Sequence, residues 1–147
     1  GVSKDLEKAF EWYMKAAEQG SDIGQYNVGI CYRDGIGVEQ DYDEAFQWLL
    51  KAAEQGFASA QNDVGFAYQN GQGVEEDMEE AFDWYMKAAE QGFSVGQYNV
   101  GICYKMGRGV EQDYEDALAW FKKAADQGYE DAQKQIDSYE QLGGWDS

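Results

Sequence analysis

The sequence predicts an all-α fold, an α-solenoid of helix pairs with about eight helices. Three markers support this prediction, because each of them recurs every 36 residues along the chain. They are the pairs Gly1-Val2, Gly37-Val38, Gly73-Val74 and Gly109-Val110, the pairs Gln19-Gly20, Gln55-Gly56, Gln91-Gly92 and Gln127-Gly128, and the residues Trp12, Trp48, Trp84 and Trp120. Independent markers that share one period indicate stacked copies of a single supersecondary unit.

Each unit is predicted to contain two helices, and the one we call helix B spans roughly residues 41–54. Its copies are expected near 5–18, 77–90 and 113–126. Ala45, Trp48, Leu49 and Ala52 recur at i, i+3, i+4 and i+7, so they lie on one helical face.

Both ends of helix B carry boundary signals. Asp41 with Glu44, and Asp77 with Glu80, have the spacing of a capping box in which Asp replaces Ser or Thr. Gly56 and its copies stand where a left-handed C-terminal cap is needed. Because the chain has no proline, its turns are expected to depend on glycine alone.

The other helix of each unit, helix A, is predicted near residues 58–70, with copies near 22–34, 94–106 and 130–142. It contains the pattern Val64-Gly65-x-x-Tyr68, which recurs one repeat earlier and one repeat later. A glycine in a helix interior costs about 1 kcal/mol relative to alanine, so we expect a close approach of the neighbouring helix there. The repeated aromatic residues are predicted to lie in the core: Tyr32, Tyr68, Tyr104, Trp12, Trp48, Trp84 and Trp120.

The composition restricts the partners that this chain can bind. It has 29 acidic and 11 basic residues and a formal net charge of -18, yet 16% of its residues are aromatic, which indicates a folded chain with a strongly solvated surface. Nucleic acids and anionic membrane surfaces both require basic residues, so neither is an expected partner. No apolar run approaches the ~18 residues of a membrane span, and no membrane insertion is expected. The acidic surface either binds a basic partner or keeps the array soluble, and the second interpretation is favoured.

The repeat can be followed most completely over residues 81–113. It stands there as Ala81-Phe82-Asp83-Trp84-Tyr85-Met86-Lys87-Ala88-Ala89-Glu90-Gln91-Gly92, followed by Gly101-x-x-Tyr104 and Gly107-x-Gly109-Val110-x-x-Asp113. This pattern resembles the Sel-1-like repeat, a relative of the tetratricopeptide repeat, and the resemblance covers nearly the whole chain. It implies a right-handed superhelix of antiparallel helix pairs that receives partners on a concave face lined by helix A. It also implies an adaptor of the kind that acts in signalling, in quality control at the endoplasmic reticulum or in bacterial interaction with a host.

The predicted domain organisation is a single array over residues 1–147. Its parts are an N-terminal half repeat (1–20), full repeats (21–56, 57–92 and 93–128), a C-terminal capping helix (129–142) and a tail (143–147). In the capping helix, Asp137 and Glu140 replace the repeated glycine and tyrosine, which would obstruct a further repeat. Gly143 and Gly144 are then expected to release a tail that carries Trp145. The open half repeat would permit head-to-tail self-association.

The sequence offers little for catalysis, and we predict no enzyme activity, no cofactor and no metal site. The chain has no histidine, the commonest general base and transition-metal ligand. Its acidic loops do not match a calcium loop, because apolar Ile36 and Val38 interrupt the series of oxygen ligands. Cys31 and Cys103 stand two repeats apart, beyond disulfide reach, so both are expected to be free core thiols. A secreted bacterial branch of the family pairs its cysteines, and the lack of such pairing here favours a reducing compartment such as the cytoplasm.

A surface that binds a peptide or protein segment is predicted on helix A. Tyr26, Phe66 and Tyr98 are not shared by every repeat, so they belong either to a contact surface or to packing between repeats. Asn27 and Asn99 suit hydrogen bonding to an extended peptide backbone. An acidic peptide terminus held by the basic residues of this face is an alternative ligand. The predicted contact residues are Ile23, Tyr26, Asn27, Ile30, Arg33, Asn62, Asp63, Phe66, Gln69, Val95, Tyr98, Asn99, Ile102 and Lys105.

The predicted function is that of a protein-protein interaction module, an adaptor that binds in the groove lined by helix A. An engineered or consensus-like scaffold without a natural ligand is the alternative, and an enzyme is the least favoured class. Residues 1–35 and 73–107 agree at 25 of 35 positions, whereas 1–35 and 37–71 agree at 17 of 35. This alternation favours natural duplication of a pair of repeats over a single averaged consensus.

Overall fold

The computed structural model describes residues 2–145, and over that range it contains eight α-helices and no β-strand. The chain divides into two compact units, residues 1–77 and 78–147. The helices of the first unit are α1 (Val2–Glu18), α2 (Asp22–Asp34), α3 (Tyr42–Glu54) and α4 (Ala58–Asn70). Those of the second unit are α5 (Met78–Glu90), α6 (Ser94–Met106), α7 (Tyr114–Asp126) and α8 (Glu130–Leu142).

The alternation of helix types agrees with the prediction: α1, α3, α5 and α7 are of type B, and α2, α4, α6 and α8 are of type A. Short turns join successive helices, so neighbouring helices within a unit run antiparallel. The bounds of the helices match those predicted, except that α1 begins at Val2 rather than near residue 5. The all-α, paired-helix fold class is therefore confirmed.

The predicted signals define the ends of helix B. The side chain of Asp41 accepts a hydrogen bond of 3.1 Å from the backbone N–H of Glu44, and Asp113 accepts one of 3.0 Å from Asp116. Each carboxylate thus satisfies a backbone donor that the first turn of a helix leaves unpaired. At the other end, Gly56 has a φ of 94°, a left-handed conformation that favours glycine.

The glycine inside helix A marks a close approach, as predicted. A Cβ atom added at Gly29 would stand 2.7 Å from Cγ of Leu49, and one at Gly101 would stand 2.6 Å from the ring of Phe121. The next helix B therefore inserts a large side chain into the space that the glycine leaves. Both of these side chains are buried, Leu49 in the first unit and Phe121 in the second.

The repeated tyrosines of helix A pack against a phenylalanine of the preceding helix B. The rings meet edge to face with centroids 5.4 Å apart in all three copies, which are the pairs Phe10–Tyr32, Phe46–Tyr68 and Phe82–Tyr104. Both cysteines are buried and free, in agreement with the prediction of core thiols.

The prediction that all four repeated tryptophans lie in the core is wrong for most of them. Trp84 is buried, Trp48 and Trp120 are half-buried, and Trp12 exposes 68% of its surface. Each ring lies at the border of the apolar face, where the lysine three residues later places its ammonium 3.9 to 5.0 Å from the ring centroid. This position suits a large ring that packs on one side and contacts a cation on the other.

The prediction of a released tail is also wrong where the structure describes it. Trp145 is 9% exposed and makes edge-to-face contacts with Tyr114, Phe121 and Tyr139. Burial of so large an apolar ring is favourable, so the chain turns back after Gly143 rather than extending into solvent. Residues 146 and 147 lie outside the described residues. Asp137 and Glu140 on α8 are exposed.

Candidate functional site

The first unit contains an open cleft of about 420 Å³ beside the C-terminal half of α2 and the middle of α4. The lining of this α2–α4 cleft comes from Arg33, Asp34, Tyr42, Asn62, Asp63, Phe66 and Gln72. Phe46, Leu49 and Ala67 form an apolar floor beneath it. Phe66 is 45% exposed and Tyr42 is 41% exposed, so two aromatic rings face solvent at its rim.

Arg33 stands in the cleft between two carboxylates. Its guanidinium donates two hydrogen bonds to Asp34, of 3.0 and 3.1 Å, and a third of 3.4 Å to Asp63. Asp34 is the last residue of α2 and Asp63 lies on α4, so the arginine joins the two type-A helices of the unit. One positive charge faces two negative charges, and the cleft therefore keeps an excess of negative charge.

The Asp63 carboxylate is the most enclosed charge of the cleft. Its burial raises its pKa above the ordinary value, an effect that the Arg33 guanidinium and hydrogen bonds from Tyr26 and Asn62 partly offset. Burial and the neighbouring Asp63 charge likewise raise the pKa of the Tyr26 phenol. The Tyr26 ring packs at 5.1 Å against Phe57, at the start of α4.

Four of the predicted contact residues meet in the α2–α4 cleft: Arg33, Asn62, Asp63 and Phe66. The others of the first unit do not line it. Ile23 is exposed on the first turn of α2, and Tyr26 packs against Phe57. The remaining three are half-buried: Asn27, Ile30 and Gln69. Between the two interpretations of Tyr26, the ring contact with Phe57 supports packing between repeats.

In the second unit, the predicted contact residues are half-buried: Val95, Tyr98, Asn99, Ile102 and Lys105. Tyr98 lies 5.1 Å from the ring of Tyr129 and 5.6 Å from that of Phe121, and it packs with Ile102 against the core of this unit. The Lys105 ammonium donates a 2.7 Å hydrogen bond to Gln135 and lies 4.6 Å from the centroid of the Trp145 ring. Tyr98, Ile102 and Lys105 therefore already contact other side chains of the second unit.

The two basic residues predicted to hold an acidic peptide terminus, Arg33 and Lys105, already contact other side chains of this chain. Arg33 is shared by Asp34 and Asp63, and Lys105 is covered by Gln135 and Trp145. A carboxylate entering the α2–α4 cleft would meet two resident carboxylates. The geometry therefore disfavours that alternative ligand.

Sequence reasoning missed Asp34, Tyr42 and Gln72 as members of the cleft. The sequence could have indicated Gln72, because this position varies between repeats. The equivalent residues are Ile36 and Arg108, whereas the glycines on either side stay constant. Tyr42 carried no such signal, since the pattern assigns it only to the first turn of helix B. Its ring joins the cleft because the loop after α4 returns beside the start of α3, where Gly73 meets the Tyr42 carbonyl.

Residues 2–145 offer neither a metal-binding cluster nor a membrane-spanning helix. No three His, Cys, Asp or Glu side chains are grouped so that they could hold a metal ion. None of the helices in this range combines the length and the apolar character needed to cross a bilayer.

Paired helices of 36-residue period, with an aromatic and polar cleft on the type-A helices, define a helical repeat protein. The Sel1 repeat model matches residues 1–21, 23–57, 58–93 and 94–129. The chain belongs to the Sel1 repeat family. Sel1 repeat proteins generally mediate protein–protein interaction. No curated protein matches the sequence.

Several solved structures are similar to this chain. A Sel1 repeat protein from Oxalobacter formigenes is 37% identical with a TM-score of 0.90, and the match covers 95% of this chain and 57% of that one. The protective antigen c5321 of uropathogenic Escherichia coli is 37% identical with a TM-score of 0.87, over 97% of this chain and 31% of that one. Helicobacter pylori cysteine rich protein B is 30% identical with a TM-score of 0.71, over 91% of this chain and 96% of that one. The chain thus spans 57% and 31% of the length of the first two.

Proposed function

We propose that this protein is an adaptor that binds a peptide or protein segment through its type-A helices, with the α2–α4 cleft as the main contact in the first unit. The observation that carries this proposal is the exposed ring of Phe66 at the rim of an open cleft. Equivalent positions in the other repeats hold Ile30, Ile102 and Ser138, so this position varies on a constant framework. Binding hot spots are enriched in aromatic residues that become buried in the complex.

The contrast with the other two variable aromatics strengthens this choice. Tyr26 and Tyr98 are packed against Phe57 and Tyr129, whereas among the described residues no aromatic ring packs on that of Phe66. Replacement of Phe66 should therefore weaken the binding of a partner while changing the free energy of unfolding little. A loss of affinity in this variant can then be attributed to the lost contact. Removal of either tyrosine would disturb packing between helices as well.

Capture of partners by immobilised protein, with quantitative mass spectrometry, tests the proposal. The Phe66→Ser variant carries the residue type of position 138, and Tyr13→Ser removes a comparably exposed aromatic side chain from α1, a type-B helix. A genuine partner should lose on the order of 30-fold in affinity with Phe66→Ser, equivalent to about 2 kcal/mol, and none with Tyr13→Ser. A partner that tolerates Phe66→Ser but is released by salt would bind the acidic surface instead of the cleft, and this outcome would overturn the proposal.

A further inference from the structure

The charge and the aromatic rim of the α2–α4 cleft select a particular kind of ligand. We propose that the cleft receives a lysine or arginine side chain of the partner segment, with an apolar neighbour of that residue packed on Phe66. This inference rests on the proposed function, because it names the chemistry of the peptide that would bind there. Three independent features of the described residues support it.

The first feature is the distribution of charge. Asp34 and Asp63 face a single resident cation, Arg33, and the side chain of Asp34 is 44% exposed. A carboxylate has about four lone-pair sites, of which the two bonds from Arg33 occupy only part. An incoming cation can therefore bond to Asp34 without displacing Arg33. The formal net charge of the chain, -18, adds a long-range attraction for cationic ligands.

The second feature is the aromatic surface beside these carboxylates. Lysine and arginine carry a long apolar stem that packs on rings while the charged head reaches an acceptor. Tyr42 offers a half-exposed ring for this stem within the same cleft as the carboxylates, and the half-exposed ring of Phe66 is left for the apolar neighbour. The chain itself uses this arrangement repeatedly, for example where Lys51 lies 4.3 Å from the centroid of the Trp48 ring.

The third feature is a comparison with the second unit, which holds the same helices 72 residues later. There, Asp34 and Asp63 correspond to Met106 and Gln135, so both carboxylates are absent. The counterpart of Arg33 is Lys105. Its ammonium donates a 2.7 Å hydrogen bond to Gln135 and lies 4.6 Å from the centroid of the Trp145 ring. The excess of carboxylates is thus specific to the first unit, where it faces an open cleft.

The probes for this inference are three acetylated and amidated heptapeptides, Gly-Ser-Leu-X-Leu-Ser-Gly, in which X is lysine, glutamine or glutamate. Each is titrated at low ionic strength into the isotope-labelled intact chain, and the backbone amide signals are followed by NMR. The lysine peptide should shift the signals of residues 33–34 and 62–72 and bind at least about tenfold more tightly than the glutamate peptide. Added salt should reduce this preference, because it screens the charges.

Variants based on the second unit make the test specific. Asp34→Met, alone and together with Asp63→Gln, should abolish the preference for lysine over glutamate while the glutamine peptide still binds. The single variant alters an exposed side chain, so it serves if the double variant folds poorly. The control replaces two exposed carboxylates elsewhere in the first unit, Glu18→Gln with Glu54→Met, and should retain the preference.

Each contrary outcome has its own meaning. Equal binding of the three peptides at the cleft would overturn the inference and leave the proposed function standing. Equal loss of preference in the control variant would show that only the net charge matters, which also overturns it. If no peptide shifts the signals of the cleft, and Phe66→Ser captures partners as the parent does, both the inference and the proposed function are wrong.

Discussion

Gln55 donates a hydrogen bond of 2.7 Å to the side-chain oxygen of Gln25, and a second bond of 2.9 Å to the carbonyl oxygen of Gly20. Gln25 is only 7% exposed, and its own amide donates to the carbonyl oxygen of Ala17. The same arrangement recurs in the second unit, where Gln127 bonds to Gln97 and Gly92. A polar link between side chains thus joins the end of one helix B, the start of helix A and the end of the next helix B.

This link predicts a difference between two glutamines in equivalent positions. Gln55→Ala removes two hydrogen bonds and leaves the buried oxygen of Gln25 without that donor, so it should lower the free energy of unfolding by about 1–3 kcal/mol. Gln19 occupies the same position one repeat earlier, is exposed, and makes no side-chain hydrogen bond within residues 2–145. Gln19→Ala should therefore change stability by less than about 0.5 kcal/mol. Urea unfolding followed by circular dichroism measures both, and equal losses would show that the link contributes nothing.

The sequence predicted the repeating elements well because their determinants are local. The capping carboxylate of Asp41 and the left-handed Gly56 act within a few residues of their own position, and the period copies them along the chain. The burial of Trp145 depends on contacts with Tyr114 and Tyr139. The sequence around residue 145 does not encode these contacts, so the burial could not be predicted. The α2–α4 cleft was predicted in part for the same reason. Variation between repeats singled out Phe66, whereas the approach of Tyr42 follows from the path of a loop.

The glycine of helix A provides a test of packing between successive type-A and type-B helices. Gly29→Leu would drive a side chain into Leu49, whose Cγ lies 2.7 Å from the position of an added Cβ, and should cost more than the ~1–3 kcal/mol usual for overpacking. Asp137→Leu, at the equivalent but exposed position of α8, should be nearly silent. Thermal melts of the two variants compare them. A loss at residue 137 as large as that at residue 29 would mean that the α8 face is packed.

The burial of Trp145 predicts that the C-terminal segment stabilises the second unit. Trp145→Ala removes a ring that contacts Tyr114, Phe121 and Tyr139, and should cost about 3–5 kcal/mol. Trp12→Ala is the matched control, because that ring is 68% exposed, and it should cost less than about 1 kcal/mol. Denaturant unfolding measures the two losses. A silent Trp145→Ala variant would restore the interpretation of a free tail.

The buried thiols should react slowly in the native protein. Burial raises the pKa of the Cys103 thiol to about 11 and that of Cys31 above its ordinary value. At pH 8 the reactive thiolate of Cys103 is therefore about one part in a thousand, in addition to being shielded from the reagent. Titration with a chromogenic disulfide reagent should detect both thiols promptly after unfolding without reductant, and almost none before. Fewer than two thiols after unfolding would indicate a disulfide and refute the assignment of free cysteines.

Asp63 predicts a pH dependence opposite in sign to that of most carboxylates. Burial raises the pKa of Asp63 in the native state, so the native protein binds this proton more tightly than the unfolded chain does. Ionisation of Asp63 therefore disfavours folding above its native pKa, and this penalty declines as the pH falls through that pKa towards the unfolded value. The titration of Asp63 can be followed by carbon NMR of its carboxyl group. Its midpoint should lie above the pH range in which aspartate ordinarily titrates.

The groups around Asp63 make this prediction specific, because they act with opposite signs. Arg33 and the hydrogen bond from Tyr26 lower the pKa of Asp63, whereas the Asp34 charge raises it. Arg33→Met and Tyr26→Phe should therefore raise the titration midpoint of Asp63 further, and Asp34→Met should lower it. If Asp63 titrates as an exposed aspartate, or if Arg33→Met leaves its midpoint unchanged, the carboxylate does not face the guanidinium in solution and the α2–α4 cleft is arranged differently from the structure described.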